Sequence, residues 1–362
     1  MGCGESSQTV HEFPARVIPR RGLLRGRSRL RTVLRMQEFE PHPLLGNAHA
    51  MTLAGTLWPR RRESLHAGVP RRFEVEPGSF LLGMCHWQPE PRAHATLVLI
   101  HGLEGSAGSP YMIGAASLGF ARGFNAVRLN QRNCGATEHL TPTLYNSGLS
   151  GDLRAVVAEL LENDGLPEVF VAGFSMGGNL AVKYAGELGP APPRGLRGVV
   201  GVCPALELAA CIQALERPAN RLYEWHFVRS LKARMRRKAQ LYPERYRLDG
   251  LARVRSVRQF DEVITAPHCG YRDAADYYYR AAAMRVVGKI QVPTLILAAQ
   301  DDPLVPFTQF AHPDLVGHAH VRLVAPEHGG HCAFVSRQGG AERFWAEARL
   351  VEFCAAQSAL AS

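Results

Sequence analysis

Short, nearly continuous apolar runs recur along the chain and alternate with stretches in which apolar residues return every three or four positions. Ala95-Thr96-Leu97-Val98-Leu99-Ile100 and Val169-Phe170-Val171-Ala172 are such runs, as expected of strands covered on both faces. Further strands are expected over 125–129, 198–202, 293–299 and 320–324. The stretches 73–76 and 80–87 flank Pro77-Gly78-Ser79 and read as an antiparallel hairpin. The clearest helix is 149–163, where Leu153, Val156, Val157, Leu160 and Leu161 fall at i, i+3, i+4, i+7 and i+8, one stripe fit to pack beside the 169–172 strand. Helices are also expected over 111–122 and 341–354. Pro41, Pro43, Gly46 and Asn47 make an extended, turn-rich lead-in.

Strands that alternate with amphipathic helices predict an α/β protein with a mostly parallel central sheet and helices on both faces. The interval 205–289 is too long for an ordinary crossover. It is helical and basic in pattern, with tyrosines at 277, 278 and 279, and is read as a lid inserted above the carboxyl ends of the strands. The core then comprises 36–204 and 290–362, preceded by an arginine-rich extension over 1–35.

With 362 residues, 46% of them hydrophobic, the chain is long enough for one large core carrying such an insertion. Cys3, Cys85, Cys134, Cys203, Cys211, Cys269, Cys332 and Cys354 lack paired spacing, which points to reduced thiols and a cytoplasmic protein, not a disulfide scaffold. No apolar run reaches the roughly 18–20 residues that span a bilayer. The longest, 199–214, contains Pro204 and Glu207 and reads as a core strand and its exit.

The net charge of +10 is unevenly spread. Residues 1–35 hold eight arginines against Glu5 and Glu12, and 217–258 hold thirteen basic residues against three acidic ones, so the remainder is net acidic. No nucleic-acid motif accompanies either basic stretch, and peripheral contact with an anionic membrane surface is the expectation they leave. Residues 1–35 read as a disordered tail or as sequence upstream of a start at Met36. Met1-Gly2-Cys3-Gly4-Glu5-Ser6 matches an N-acylation pattern, and the arginines a presequence; both patterns arise readily by chance.

The chemistry centres on Gly173-Phe174-Ser175-Met176-Gly177. G-x-S-x-G between a strand and a helix is a nucleophile elbow, a turn so tight that glycine flanks an exposed serine. A helix-capping serine in a glycine-rich turn is the structural alternative. A serine nucleophile needs a base, and the base a carboxylate to orient it. After the strand at 293–299 comes Asp301-Asp302-Pro303, and after that at 320–324 comes His328-Gly329-Gly330-His331. Asp302 is preferred over Asp301 because it leads into Pro303-Leu304-Val305-Pro306, which would fix it. His331 is preferred over His328 because two glycines permit a sharp loop over the serine. Backbone N–H groups of Met176 and of Leu103, with Glu104 as second choice, are expected to form the oxyanion hole. Gly102, Gly105 and Gly108 fit no phosphate-binding spacing. His328, His331 and Cys332 lack the further ligands a zinc site needs, so neither a metal nor an organic cofactor is expected.

In combination, several runs resemble one family. They are Phe39-x-Pro41, Asn47-x-His49, His101-Gly102-Leu103-Glu104-Gly105-Ser106-x-Gly108-Ser109-Pro110-Tyr111, Asn130-Gln131-Arg132-Asn133-Cys134-Gly135 and Ser147-Gly148 with Asp152-Leu153-Arg154. Gly173–Asn179, Phe260-Asp261, Asp301-Asp302-Pro303 and Gly329-Gly330-His331 complete the set. The chain is thereby similar to the YheT-like α/β hydrolases, also called the embryogenesis-associated or type 4 family. The resemblance implies an α/β-hydrolase fold and a serine hydrolase of carboxylic esters with Ser175, Asp302 and His331 as triad, some relatives acting on phospholipid acyl chains. Asn133 departs from the family's usual R-G-C run and leaves the role of the 132–135 loop open. The expected partner is a small-molecule acyl ester or lipid. An acyltransferase with the same triad and a non-catalytic lipid-binding module are the alternatives. Oligomeric state leaves no signal in the sequence.

Overall fold

The computed structural model describes residues 36–60 and 65–360. The extension over 1–35, with its acylation and presequence patterns, lies outside the described residues.

The hairpin forms as β1 (Val69–Glu76) and β2 (Ser79–His86), and the apolar runs form β3 (Thr96–Ile100), β4 (Asn125–Asn130), β5 (Val169–Phe174), β6 (Leu196–Val202), β7 (Thr294–Leu297) and β8 (Val321–Val324). They make one sheet in the order β1-β2-β4-β3-β5-β6-β7-β8. β2 runs antiparallel to both its neighbours, and the remaining pairs are parallel.

Alternation along the buried strands divides their side chains between two cores. Val98, Ile100, Val169, Val171, Val199 and Ile296 share one face with α3 (Ser150–Ala158) and α4 (Met176–Leu188). Leu97, Leu99, Phe170, Ala172, Val200 and Leu295 share the other with α2 (Pro110–Ala121) and α10 (Trp345–Gln357). The stripe on α3 packs as its spacing predicts: Leu153, Val156, Val157 and Leu160 are buried, each worth on the order of 1.5–3 kcal/mol before entropy is counted.

Three expectations change. The lead-in is not all extended: α1 (Ala48–Leu57) follows Asn47, whose side chain accepts the His49 and Ala50 N–H groups. The helix expected over 149–163 ends its α-helical part at Ala158 and closes through a π turn, Glu159–Asn163. The closing helix begins at Trp345, not 341, because a 3₁₀ turn, Gly340–Glu342, precedes it.

The interval between β6 and β7 contains helices but no strand. Its helices are α5 (Leu208–Leu215), α6 (Arg221–Leu241), α7 (Val257–Phe260), α8 (Ala266–His268) and α9 (Ala274–Ala281). They enclose a core of their own that includes Leu215, Val228, Leu231, Met235, Val257 and Phe260. Asn179 fastens this interval to α4: its side chain donates to the Ser147 and Ala281 carbonyls and accepts the Ala283 N–H. The loops after β3, β5, β7 and β8 all leave from the carboxyl edge of the parallel strands, where open α/β sheets place their sites.

Candidate active site

The geometry begins with the two glycines around Ser175. A Cβ on Gly173 would collide with the Gly177 carbonyl, and one on Gly177 would lie 2.6 Å from the Ile100 carbonyl oxygen and closer still to that of His101. All of these obstacles are backbone. Gly177→Ala is therefore expected to separate α4 from the β3 loop and leave little folded, active protein, measurable as loss of thermal stability and of turnover together. Between the glycines Ser175 adopts φ 56° and ψ −118°, a left-handed conformation that costs a non-glycine residue about 1–3 kcal/mol. Its N–H donates to the Val202 carbonyl at 2.9 Å, and its carbonyl accepts the Asn179 N–H at 3.0 Å.

The Ser175 Oγ so presented lies 2.9 Å from His331 Nε2. His331 Nδ1 lies 2.8 Å from Asp302 Oδ2 and 3.1 Å from Oδ1. A carboxylate can only accept, so Nδ1 carries the proton and Nε2 offers its lone pair to the serine hydroxyl. Asp302 is held in turn by the N–H groups of Leu304 and Val305, at 2.8 and 3.0 Å. Burial opposes a charge on His331, but the Asp302 carboxylate and, after it, Cys332 together outweigh burial and raise the imidazole well above its ordinary 6.5.

The structure brings Ser175, Asp302 and His331 together and gives Asp301 and His328 other work. Asp301 Oδ1 accepts the Gly330 N–H at 2.9 Å, shaping the histidine loop, while its Oδ2 faces the exposed His328 at 3.3 Å. Gly330 sits at φ 58°. The His331 N–H is anchored by Thr52 Oγ1 at 2.9 Å, a contribution from α1.

On the opposite side of Ser175 the β3 loop approaches so closely that a Cβ on Gly102 would lie 3.1 Å from the serine Cβ. His101, fully buried, fixes this loop. Its Nε2 accepts the Gln131 N–H at 3.1 Å, and burial lowers its pKa to about 4, which keeps the ring neutral. The Glu104 N–H is committed to Tyr145 Oη at 3.2 Å. Leu103 N–H has no acceptor among the described residues, and Met176 opens α4, where first-turn N–H groups lack intrahelical partners. Both residues line the cavity above Ser175, so of the two candidates in the β3 loop Leu103 is the one left with a donor to offer.

That cavity, about 120 Å³, is walled largely by apolar side chains of the β6–β7 interval, among them Leu208, Ile212, Leu215, Phe227 and Leu231. Its polar groups are mostly satisfied. Asp261 accepts the Thr265 and Tyr278 hydroxyls at 2.6 and 2.8 Å, and burial pushes its carboxyl up to about 6. Arg234, buried on α6, pairs with Glu104 at 2.6 Å and lies 4.0 Å over the Tyr145 ring, while Tyr145 donates to the same carboxylate at 2.7 Å. The β6–β7 interval thus grips the β3 loop next to Leu103.

Thr52, Tyr145 and Arg234 carry no motif in the sequence, and His101 enters it only as the first residue of the family-like run 101–111. Only Thr52 had a local signal, the Asn47 cap that announces α1. The 132–135 loop is now explained in part. Arg132 joins Asp152 and Glu76, tying the loop to α3 and the hairpin. Asn133 occupies φ 64°, a left-handed position in which asparagine substitutes well for glycine.

Among the described residues one group could offer three ligand atoms to a cation: Cys203, His331 and Cys332, all within 4.8 Å of one another. His328 is not part of it. Both imidazole nitrogens of His331 already serve Asp302 and Ser175, so a cation there would compete with the hydrogen-bonded relay. The seven described cysteines are all free thiols. No helix among the described residues is long and apolar enough to cross a membrane.

Known proteins resemble this chain in sequence and fold. The α/β-hydrolase-fold family model matches residues 95–338. YheT of Escherichia coli (strain K12), which bears an esterase name, is 31% identical over 319 residues, 87% of this chain and 92% of its own. Phospholipase ABHD3 of Mus musculus is 30% identical over 241 residues; the match covers 66% of this chain and 58% of the mouse protein's length. The esterase Pf2001 of Pyrococcus furiosus superposes with a TM-score of 0.52 over 82% of this chain and 97% of its own, at 17% identity, a likeness of fold.

Proposed function

The chain belongs to the α/β-hydrolase family and is a carboxylic ester hydrolase; from that premise we propose that it works through Ser175, His331 and Asp302 and an acyl-enzyme. One observation carries this reading: the unbroken relay from Ser175 Oγ through His331 to Asp302, at 2.9 and 2.8 Å. Ser175 Oγ attacks the ester carbonyl while His331 Nε2 takes its proton. Asp302 stabilises the imidazolium that forms, and the N–H groups of Leu103 and Met176 receive the charge developing on the carbonyl oxygen. His331 returns the proton to the departing alcohol. Water, activated by the same nitrogen, then frees the acid.

The apolar cavity supports an acyl chain as the bound group, and the phospholipase name of ABHD3 supports lipid esters among the substrates. The β6–β7 interval would act as the lid that receives the chain. A fluorophosphonate probe tests the nucleophile directly. It is expected to label the wild-type chain at Ser175, located by peptide mass spectrometry, and to leave Ser175→Ala unlabelled; equal labelling of both proteins refutes the assignment. Product analysis with added alcohols separates hydrolysis from acyl transfer, since an acyltransferase would form the new ester in preference to free acid.

A further inference from the structure

Much of the basic charge of this chain is not used to hold it together. Within 217–255, Arg234 and Lys238 are buried and internally bonded, but Arg217, Arg221, Arg229, Arg236, Arg245, Arg247, Arg253 and Arg255 are exposed. Of these eight, none pairs with a carboxylate among the described residues. On α6, Arg221, Trp225, Arg229, Lys232 and Arg236 fall at i, i+4, i+8, i+11 and i+15, one face of a helix. They line a single surface depression with Arg255. Glu224 is the acidic member of that surface, and it accepts the Val257 N–H at 3.4 Å.

Large apolar side chains stand out among these cations. Leu222 is 80% exposed and Trp225 59%, both on α6, and Arg229 lies 5.5 Å over the Trp225 ring. Tryptophan and leucine beside a row of arginines is the composition of a helix that lies in a lipid headgroup layer. A nucleic-acid backbone would answer the charge but leave Leu222 in water. The amino-terminal end of α6 also adjoins the site. Tyr223, next to Leu222, stacks on His49 of α1 with its hydroxyl 3.3 Å from the ring nitrogen, and α1 carries the Thr52 that anchors His331.

We propose that the outer face of α6, with Arg255, docks the protein on a bilayer rich in anionic lipid, with Trp225 and Leu222 entering the headgroup layer while the inner face of the same helix walls the Ser175 cavity. Docking rests on the ester-hydrolase reading only for its purpose, delivery of lipid esters; the binding itself requires no turnover. Bilayer phosphates meet the arginines, and the apolar side chains leave water.

Co-sedimentation of full-length Ser175→Ala protein with vesicles tests this without any contribution from catalysis. Phosphatidylcholine vesicles containing phosphatidylglycerol should retain the protein at low salt, and release it as salt screens the surface. Vesicles of phosphatidylcholine alone should retain far less. Each neutralised surface arginine or lysine is expected to weaken partitioning about fivefold, so Arg229→Gln/Lys232→Gln/Arg236→Gln loses on the order of 100-fold. Trp225→Ala, with every charge intact, loses roughly tenfold through the apolar contact alone. Melting temperatures near that of the parent show that the substitutions, including that of the half-buried Lys232, whose ammonium donates to the Ala252 and Val254 carbonyls at 3.1 and 2.9 Å, have not unfolded the chain. Equal retention by both vesicle types overturns the proposal, as does undiminished binding by the triple variant. It fails equally if the triple variant loses binding while Trp225→Ala does not, and heparin competes fully: the surface would then read polyanions and not a bilayer.

Discussion

In a Ser175→Ala protein, kcat for a carboxylic ester is expected to fall on the order of 10⁶-fold with the fold intact. What survives, about 10³–10⁴ over the reaction in water, belongs to the cavity and to the Leu103 and Met176 N–H groups, which the substitution leaves in place. Stability should behave differently from activity. The strain at φ 56° arises from having a Cβ in the left-handed region, and alanine keeps that Cβ, so its melting temperature stays near wild type. Ser175→Gly also lacks the nucleophile but relieves the strain. Its gain is about 1 kcal/mol, on the order of 2 °C in a chain of this size. Steady-state rates and calorimetry on the two variants separate these effects. Turnover by Ser175→Ala comparable to wild type would remove the serine from the mechanism, and a glycine variant no more stable than alanine would place the strain elsewhere.

The parts of this molecule legible from its sequence are those where local pattern and tertiary role coincide. β3 and β5 are buried on both faces and therefore read as continuous apolar runs. Ser175 announces itself because the elbow cannot be built without glycines at 173 and 177. Helix α1 escaped because its buried positions are Met51, Thr52 and Gly55, and a single large apolar side chain among them draws no stripe. Gly55 is packed so tightly on Ala333 that a Cβ there would overlap it, a constraint visible only in three dimensions. Arg234 escaped for another reason. In sequence it is one arginine among thirteen basic residues over 217–258, and only the fold shows that it is buried against Glu104 and Tyr145 while Arg229 and Arg236 face outward. The oxyanion loop and the interval above it are coupled by a contact whose partners share no spacing that a pattern could detect.

The choice between the adjacent acids gives the second large effect. Asp302→Asn is expected to lower kcat/KM on the order of 10⁴-fold. An amide in place of the carboxylate can present N–H to His331 Nδ1, which moves the ring proton to Nε2 and leaves Ser175 without an acceptor. Asp301→Asn should cost only a few-fold. Its remaining carbonyl oxygen still accepts the Gly330 N–H, and its contact with the exposed His328 is of the kind worth about 0–1 kcal/mol. The pH profiles should differ in a direction that can be stated. Protonated His331 cannot accept the serine proton, so kcat/KM rises as pH climbs through the imidazole pKa. In the wild-type chain Asp302 raises that pKa well above 6.5, so the acid limb lies above 6.5. Without the carboxylate, burial is opposed only by the neighbouring Cys332 and the ring's pKa falls, so the residual activity of Asp302→Asn rises at lower pH than in wild type, while the limb of Asp301→Asn stays where wild type has it. Initial rates with an activated ester across the acid and neutral range read both variants. A collapse confined to Asp301→Asn would exchange the two roles, and identical acid limbs in Asp302→Asn and wild type would show that Asp302 does not set the basicity of His331.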